Sequence, residues 1–409
     1  MPSRGTRRLA LLVTFVSLGV PRRSAEAQTV RPVTRADAIA SARGAGARLR
    51  IARADSSAAG ATLAIARQFE NPLLGGQYTG SAPREHYTLD VPVDLPWIRR
   101  ARVGVAQAAL VAADQRFQFE REAVAYDVDT MYTRAQVAIA RQALSAQSAR
   151  DADSLLTLAR LRRDAGDASE FDVQLATVVA GQLAGAASAD SLDATSLLLT
   201  LQSLMGLTAA EVTIALTDTL APSPAALTPE SGTPLLMRAA QEDLRAAQLA
   251  VTFQQRSVIS GTSLSVGYET RDPNGTGSSL LPSFGLALPL PLFNRNRAAV
   301  ALAESQRRRA EASLRLAESE LAAAVARATR ALAVATARVA RSRQLQGNAE
   351  RVAALSLLAY QEGAATLPAV LEAQRAAREA RAQYLDDVAA AQIAAGLVHL
   401  LTFSEPARP

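Results

Sequence analysis

Two long stretches of the chain, residues 102–163 and 297–361, repeat apolar residues at helical spacing with no proline to interrupt them. As continuous helices they would extend about 93 Å and about 98 Å. In the first stretch apolar residues recur every seven positions from Val103 to Ala138, and from Ala310 onward the second alternates steps of three and four. Sustained heptads predict helices that supercoil around one another.

Each predicted rod ends at a glycine-containing turn, and a second helix follows that turn. The first turn contains Gly166, and Asp167 with Glu170 have the spacing of a capping box for the returning helix. The second turn contains Gly363, and Thr366 is the expected N-cap of the helix after it. Both segments are therefore predicted to be helical hairpins.

Just before each rod the hydrophobic period changes from helical spacing to two, which predicts strands. The predicted strand pairs are 74–80 with 87–95 and 263–269 with 283–292. One face of each strand is apolar, whereas Asp90, Asp94 and Glu269 lie on the opposite faces. Such alternation is typical of a half-buried strand in a soluble sheet and also of a tilted strand in a membrane. The aromatic residues that collect around the strands favour the membrane, and Asp90, Asp94 and Glu269 are then candidate residues of a barrel lumen.

Four strands are too few to close a barrel, and lipid does not tolerate an open sheet edge. Strands that cross a membrane therefore require several copies of the chain. Three copies supply twelve strands, enough to enclose a water-filled lumen. They also place twelve helices side by side, which gives the alanine-rich seams neighbours on more than one side.

The two halves of the chain are repeats of each other. Leu95-Pro96 at the start of the first rod aligns with Leu290-Pro291 at the start of the second. The predicted organisation is a signal peptide at 1–27, a first repeat at 28–206 with its hairpin tip near 166, a linker or equatorial segment at 207–232, and a second repeat at 233–409 with its tip near 363.

The N-terminal segment changes the interpretation of the charge. All 44 basic residues are arginine and the formal net charge is +6. Residues 1–27 combine a basic start, an apolar stretch and small residues before Gln28, which is typical of a secretory signal peptide. The remaining chain has 39 arginines and 37 acidic residues, a net charge of +2, so nucleic acid is not an expected partner.

Composition argues against an enzyme. The chain has no cysteine, which excludes disulfides and thiolate metal sites. Its two histidines, His86 and His399, are far apart, and we expect His86 in an exposed loop. No phosphate-binding loop, nucleophile elbow or metal-ligand cluster is found. We therefore expect no catalytic residues, no cofactor and no metal site. No apolar run reaches the 18 residues that predict a transmembrane helix.

The stretch 286–297, LALPLPLFNRNR, resembles the strand-to-helix junction of the TolC-type outer-membrane efflux family, particularly of the outer-membrane subunits in cobalt–zinc–cadmium heavy-metal efflux systems. Further similar positions are Asn71-Pro72 before the first strand and a tip motif made of 360–363 (YQEG), Thr366, Val370 and Leu371. The resemblance covers essentially the whole chain after the signal peptide.

The resemblance implies a mainly α fold with a small β part. Duplicated coiled-coil hairpins and four strands per chain would form a homotrimer with a 12-stranded β-barrel in outer-membrane lipid above a 12-helix periplasmic tunnel. It implies a passive channel of a tripartite efflux system that exports metal ions or small toxic compounds. Its partners would be a periplasmic adaptor (membrane fusion) protein and an inner-membrane pump, of the RND type.

The resemblance also implies roles for residues at the hairpin tips. Candidate adaptor-docking residues are Asp164, Gly166, Asp167, Glu362, Gly363 and Thr366. Glu372 and Asp172 are candidates for an acidic tunnel constriction, although a solvated helix face explains either residue as well, and Ala369 stands where the family often has an acid. The alternative function is a periplasmic coiled-coil adaptor or scaffold subunit, although adaptors usually carry one hairpin rather than two.

Overall fold

The computed structural model describes residues 29–80, 84–207, 212–221, 232–270 and 280–404. The predicted signal peptide and much of the predicted linker lie outside these ranges. The helices are α1 Arg35–Ala45, α2 Ala47–Arg67, α3 Pro96–Asp164, α4 Glu170–Leu204, α5 Leu235–Arg256, α6 Arg297–Gln361 and α7 Leu367–Thr402. The strands are β1 Thr29–Val33, β2 Leu73–Tyr78, β3 Glu85–Pro92, β4 Val212–Leu216, β5 Ser263–Thr270 and β6 Leu280–Ala287.

The fold is mainly helical with a small β part, as the sequence predicts. Helices α3 and α6 contain 69 and 65 residues, and each forms a hairpin with the helix that follows it. The seam of α6 buries Ala328, Ala335 and Ser342 at intervals of seven. Ala331, which the heptad pattern places in this seam, is exposed, and Leu332 is half-buried instead.

Both hairpin turns are built on a glycine in the left-handed conformation. Gly166 has φ +85° and Gly363 has φ +78°. After α3, the amide of Gly166 donates to the carbonyl of Arg163 at 2.9 Å and that of Asp167 donates to Arg162 at 2.8 Å. The amides of Gly363 and Ala364 make the equivalent bonds after α6. This pair of bonds is a Schellman motif, and glycine is favoured there because it lacks a Cβ.

The predicted capping box of α4 lies two residues too early in the chain. Ser169, not Asp167, is the N-cap, and Asp172, not Glu170, completes the capping box. A capping box requires an acceptor three residues after the N-cap, and the Schellman motif already holds Asp167 at the end of α3. Thr366 is the N-cap residue of α7, but its side chain makes no capping hydrogen bond.

Four strands form one antiparallel sheet in the order β2-β3-β5-β6. The two strand pairs therefore join across the repeat, where Tyr87 of β3 stacks on Tyr268 of β5 with ring centroids 5.1 Å apart. Strand β3 ends at Pro92 rather than at 95, and β6 ends at Ala287 rather than at 292. The prolines that follow β6, Pro289 and Pro291, lack the amide that a ladder requires.

A second, two-stranded parallel sheet is absent from the sequence prediction. Strand β4, inside the predicted linker, pairs with β1. Val33 of β1 and Ile214 of β4 pack with Tyr132 of α3 and Leu201 of α4 in a buried cluster. The described residues of the predicted linker are therefore part of a packed core.

The order of the helices repeats the order of the strands. Helix α2 contacts α3, α3 contacts α5, and α5 contacts α6, and these four helices adjoin β2, β3, β5 and β6 in the chain. Below them the hairpin helices contact one another in the order α4, α3, α7, α6. In the described part of the chain, α7 alone is long and apolar enough to cross a membrane, but it packs between α3 and α6.

Candidate functional site

The two faces of the four-stranded sheet differ in polarity. Residues that are paired across an antiparallel sheet lie on the same face. One row across all four strands is Leu74, Leu89, Val266 and Phe284, and all four side chains are exposed. A neighbouring row on the same face contains Tyr87 and Tyr268. Rows on the other face contain Thr88 with Ser283, Asp90 with Ser265, and His86 with Glu269. One face is thus mainly apolar and uncovered, with Glu85 and Thr270 paired at its end, and the other is mainly polar, although Leu73 and Leu281 also lie on it.

Two of the three predicted lumen residues lie on the polar face. Asp90 is on β3 and Glu269 is on β5. The Glu269 carboxylate lies 3.2 Å from Nδ1 of His86, which is on β3 and not in the exposed loop that we expected. The loop expectation is wrong because the strand starts at Glu85, earlier than the alternating pattern indicates.

The third predicted lumen residue, Asp94, has a different environment. It follows the end of β3, and its carboxylate accepts a hydrogen bond from Arg102 at 2.7 Å and lies 3.4 Å from Nε of Arg99. Its side chain is 12% exposed. Two guanidinium groups therefore neutralise Asp94 at the junction of strand and helix.

Both edges of this sheet are open in the described residues. Strand β2 pairs with β3 alone, and β6 pairs with β5 alone. The helices at the two sides are also different: α2 and α4 lie on the β2 side, and α6 lies on the β6 side. Large apolar side chains are exposed on these outer helices, namely Ile51 and Ile65 of α2, Val178, Leu192 and Leu199 of α4, and Leu345, Val352 and Leu355 of α6.

The two hairpin tips pack together in one apolar cluster. Leu155 and Ala159 of α3, Val173 and Ala176 of α4, Tyr360 of α6, and Leu367 and Val370 of α7 form it. Arg162 of α3 links the hairpins directly, since its Nη1 donates to the carbonyl of Tyr360 at 2.7 Å and its guanidinium lies 4.9 Å from the centre of the Tyr360 ring. Sequence reasoning missed Arg162, because no local pattern indicates which arginine reaches the other hairpin.

The predicted docking residues all lie at this end of the hairpins. Asp164 pairs with Arg163 at 2.8 Å, and Arg163 also pairs with Glu170 at 3.2 Å. Hydrogen bonds to Asp164 and then Glu170 raise the pKa of Arg163. Hydrogen bonds from Gln174 and then Arg163 lower the pKa of Glu170. The other predicted docking residues, Gly166, Asp167, Glu362, Gly363 and Thr366, are exposed.

The two candidate constriction residues differ in their contacts. The Asp172 carboxylate accepts hydrogen bonds from the amide of Ser169 at 3.1 Å and its Oγ at 2.8 Å. Glu372 is exposed on α7, and its charge helps to raise the pKa of Arg375, after the larger contribution of the hydrogen bond to Glu379. Asp172 therefore stabilises the start of α4, whereas Glu372 makes no hydrogen bond of this kind with the described residues.

The described part of the chain contains no set of side chains that could bind a resident metal ion. No group of three or more histidine, aspartate or glutamate side chains is close enough there to hold an ion.

Residues 235–401 match the family Outer membrane efflux protein. This second half of the chain is an outer membrane efflux protein domain. The match runs from α5 almost to the end of α7, and the first half contains a corresponding helix, strand pair and helical hairpin, preceded by β1 and α1. The predicted TolC-type resemblance is confirmed, while the cobalt–zinc–cadmium subtype stays a prediction. No curated protein sequence matches the chain.

Solved structures of membrane proteins share the fold of this domain and of the half that precedes it. A membrane protein from Pseudomonas aeruginosa has a TM-score of 0.76 and 22% identity, covering 90% of this chain and 93% of that one. The outer membrane protein VceC from Vibrio cholerae has a TM-score of 0.75 and 18% identity, covering 90% and 95%. The MtrE outer membrane channel of Neisseria gonorrhoeae, in its open state, has a TM-score of 0.71 and 15% identity, covering 90% and 88%.

Proposed function

We propose that the chain forms a passive channel in the bacterial outer membrane, as the export duct of a tripartite efflux system. The observation that carries this proposal is the four-stranded sheet with an apolar face, a polar face and two open edges. An uncovered apolar face fits lipid, and a polar face fits a water-filled lumen. Open edges fit lipid only when another copy of the chain pairs with them.

The two sides of the chain support a ring of identical copies. Because the β2 side and the β6 side differ, one side of each copy would meet the opposite side of the next, and contacts of this kind form a ring when the rotation between copies closes. Three copies provide twelve strands, which matches the size of a barrel with a lumen. The exposed apolar residues of α4 and α6 would then be covered by neighbouring copies.

The hairpin tips are the proposed docking surface for a periplasmic adaptor protein, and an RND-type inner-membrane pump would deliver the cargo. The cargo is proposed to be metal ions or small toxic compounds. Export by the signal peptide would place the long hairpins in the periplasm and the sheet in the outer membrane.

The function is tested by cell fractionation, cross-linking and planar-bilayer recording of the full-length protein. We expect the processed chain in the outer-membrane fraction, as a cross-linked trimer that conducts ions when reconstituted. A soluble monomer that never conducts would refute the proposal and would favour the adaptor alternative.

The proposed constriction is tested by Glu372→Gln and Asp172→Asn, which remove charge but keep the size of the side chain. Three carboxylates around a narrow pore attract cations, so the double variant should show weaker block by divalent cations and a higher conductance. Glu379→Gln is the matched control, because Glu379 lies on the same face of α7 as Glu372 but two turns farther from the hairpin tip. Unchanged block and conductance in the double variant would rule out an acidic ring formed by these two residues.

A further inference from the structure

An open groove of about 730 Å³ lies where the first strand pair meets the long helix α3. We call it the junction groove. It is bounded by the end of α2, the start of α3 and the two connections between strand and helix, and its lining includes Arg67, Phe69, Asp94, Arg99, Arg100 and Gln107. The groove lies at the opposite end of α3 from the hairpin tip, so it is separate from the proposed docking surface.

The junction groove has a surplus of positive charge. Arg99 lies 3.4 Å from the Asp94 carboxylate, to which Arg102 also donates, so the negative charge of Asp94 is already compensated. Arg67 and Arg100 are exposed, and neither forms an ion pair with an acidic side chain of the described residues. Two guanidinium groups without a counter-charge therefore line the same groove.

The arginines of the groove are held in place by contacts between α2 and α3. Nη2 of Arg99 donates to the carbonyl of Arg67 at 2.8 Å, and Cζ of Arg99 lies 4.2 Å from the centre of the Phe69 ring. The Arg67 side chain donates to Gln107 at 3.4 Å. Guanidinium groups bind phosphate oxygens through paired, charge-assisted hydrogen bonds. The free N–H groups of Arg67 and Arg100 therefore suit a phosphate group.

The groove lies on the side of α3 that carries the two-stranded sheet. Arg100 and Gln107 are separated from Val128 by multiples of seven residues, so the three lie on one stripe of a supercoiled helix. Val128 belongs to the buried cluster that contains Val33 of β1 and Ile214 of β4. In the proposed ring this side would face outward, because three such sheets would otherwise fill the lumen.

The groove also lies at the level where the four-stranded sheet ends. Strand β3 ends at Pro92 and α3 begins at Pro96. Phe69 and Trp97, beside the groove, are 65% and 46% exposed. Exposed aromatic residues at the ends of membrane strands are typical of the boundary between lipid and water. An outward groove at this level would lie beside the phosphate groups of the inner leaflet of the outer membrane.

We propose that the junction groove binds the headgroup phosphate of an anionic phospholipid. Arg67 and Arg100 are its phosphate ligands, and Arg99 positions them. The inference rests on the proposed function, because a location in the outer membrane is what brings lipid to this groove. The surplus of positive charge favours phosphatidylglycerol, which has a net negative charge, over zwitterionic phosphatidylcholine. Three such sites around a ring would hold it at one depth in the bilayer.

The test uses the fluorescence of Trp97, the only tryptophan of the chain, which follows Pro96 of the groove. Full-length protein in detergent is titrated with phosphatidylglycerol or phosphatidylcholine, each brominated in an acyl chain close to the headgroup, because bromine quenches tryptophan only at short range. We expect phosphatidylglycerol to quench at the lower mole fraction. Arg67→Gln and Arg100→Gln should each reduce this preference about fivefold, since each arginine near an anionic lipid contributes about that factor.

Two controls accompany the titration. Arg315→Gln removes an exposed arginine of α6, about 27 Å along that helix from its start, and should keep the preference. Quenching by phosphatidylcholine requires no recognition of charge, so it should be equal in all variants and shows that each variant is folded and in contact with lipid. Equal quenching by the two lipids in the unchanged protein, or a preference that survives both groove substitutions, would overturn the lipid site.

A competition experiment distinguishes lipid from free phosphate. Inorganic phosphate should displace phosphatidylglycerol no better than chloride at the same ionic strength, because the acyl chains contribute to binding of the lipid. Displacement by phosphate and not by chloride would show that the groove takes the free anion, and it would overturn the lipid assignment.

Planar-bilayer recording separates this inference from the proposed function. If the groove substitutions abolish the lipid preference but the unchanged protein never conducts, the lipid site stands and the channel fails. If the unchanged protein conducts but shows no preference between the two lipids, the channel stands and the lipid site fails.

Discussion

Two buried tyrosines have hydroxyl groups in opposite situations. The Tyr132 hydroxyl lies 3.0 Å from the carbonyl of Val33 and 3.1 Å from the Asp218 carboxylate. The Tyr360 hydroxyl, in a side chain 4% exposed, has no hydrogen-bond partner among the described residues. A buried polar group without a partner costs free energy, whereas a satisfied one contributes to stability.

The two tyrosines therefore predict opposite effects of the same substitution. Tyr132→Phe should lower the free energy of unfolding by about 1 to 2 kcal/mol, because two acceptors lose their donor. Tyr360→Phe should leave the free energy of unfolding unchanged or raise it by up to about 1 kcal/mol. Denaturant unfolding at one fixed protein concentration measures the free energy of unfolding of both variants. Equal losses in the two variants would contradict the unsatisfied state of Tyr360.

The tip glycines give a second prediction at this scale. Gly166→Ala puts a Cβ on a residue with φ +85° and should lower the free energy of unfolding by about 1 kcal/mol or more. Gly185→Ala is the matched control, since Gly185 is inside α4 and an added Cβ meets nothing within 4 Å. The control should be stabilised by about 0.5 to 1 kcal/mol. A loss of the same size in both variants would show that the left-handed turn is not the cause.

Single residues also show which contacts can be predicted from the sequence and which cannot. Asp90 and Glu269 are predictable as residues of one strand face because alternation is local. The pairing of Asp94 with Arg102 is not, since it depends on where the strand stops and the helix starts. Arg162 and Arg35 make contacts far along the chain, and nothing in their sequence neighbours distinguishes them from the other arginines.

At the scale of elements, the caps determine where the helices begin. Thr34 caps α1, and its hydroxyl and the Asp37 carboxylate form a capping box. Hydrogen bonds from the side chain and then the backbone of Thr34 lower the pKa of Asp37 from its ordinary value of 3.8. A carboxyl with a lowered pKa in the folded state stabilises the protein above its unfolded pKa, and this contribution is lost as the pH falls through the folded value.

The substitution Thr34→Ala should therefore have a pH-dependent effect. The variant should melt at a lower temperature than the parent at pH 7, and the difference should shrink below the ordinary Asp37 pKa of 3.8. Thermal melting followed by circular dichroism between pH 7 and pH 3 measures it. Thr366→Ala is the control, because the Thr366 side chain makes no capping bond and its loss should have little effect at any pH.

The long helices and their hairpin turns follow from the sequence because a step of three and four residues persists over many turns. The four-stranded sheet follows from alternation, although its ends shift by several residues. The sequence does not predict strands β1 and β4, because each has only five residues and the two pair in parallel although they are far apart in the chain. Only tertiary packing against Tyr132 and its neighbours makes such short segments into strands.

At the scale of the whole molecule, the two faces of the sheet predict different tolerance to charge. Val266→Arg places a guanidinium on the apolar face and should cost about 2 to 4 kcal/mol per copy near the centre of a bilayer. Ser265→Arg places the same group on the polar face of the same strand and should assemble almost normally. The yield of trimer in the outer-membrane fraction measures the effect of each of the two substitutions. Equal yields would contradict a lipid-facing sheet.

The small number of buried residues in helix α6 affects how the protein folds and assembles. Only six of its 65 residues are buried in the single chain, and Tyr360 is the only large side chain among them. Such a helix gains little by folding alone, so in the proposed ring its stability would come largely from the copies beside it. Folding and assembly then form one equilibrium governed by mass action, and the apparent melting temperature should rise with protein concentration. Newly exported chains would remain vulnerable to periplasmic proteases until they meet their neighbours.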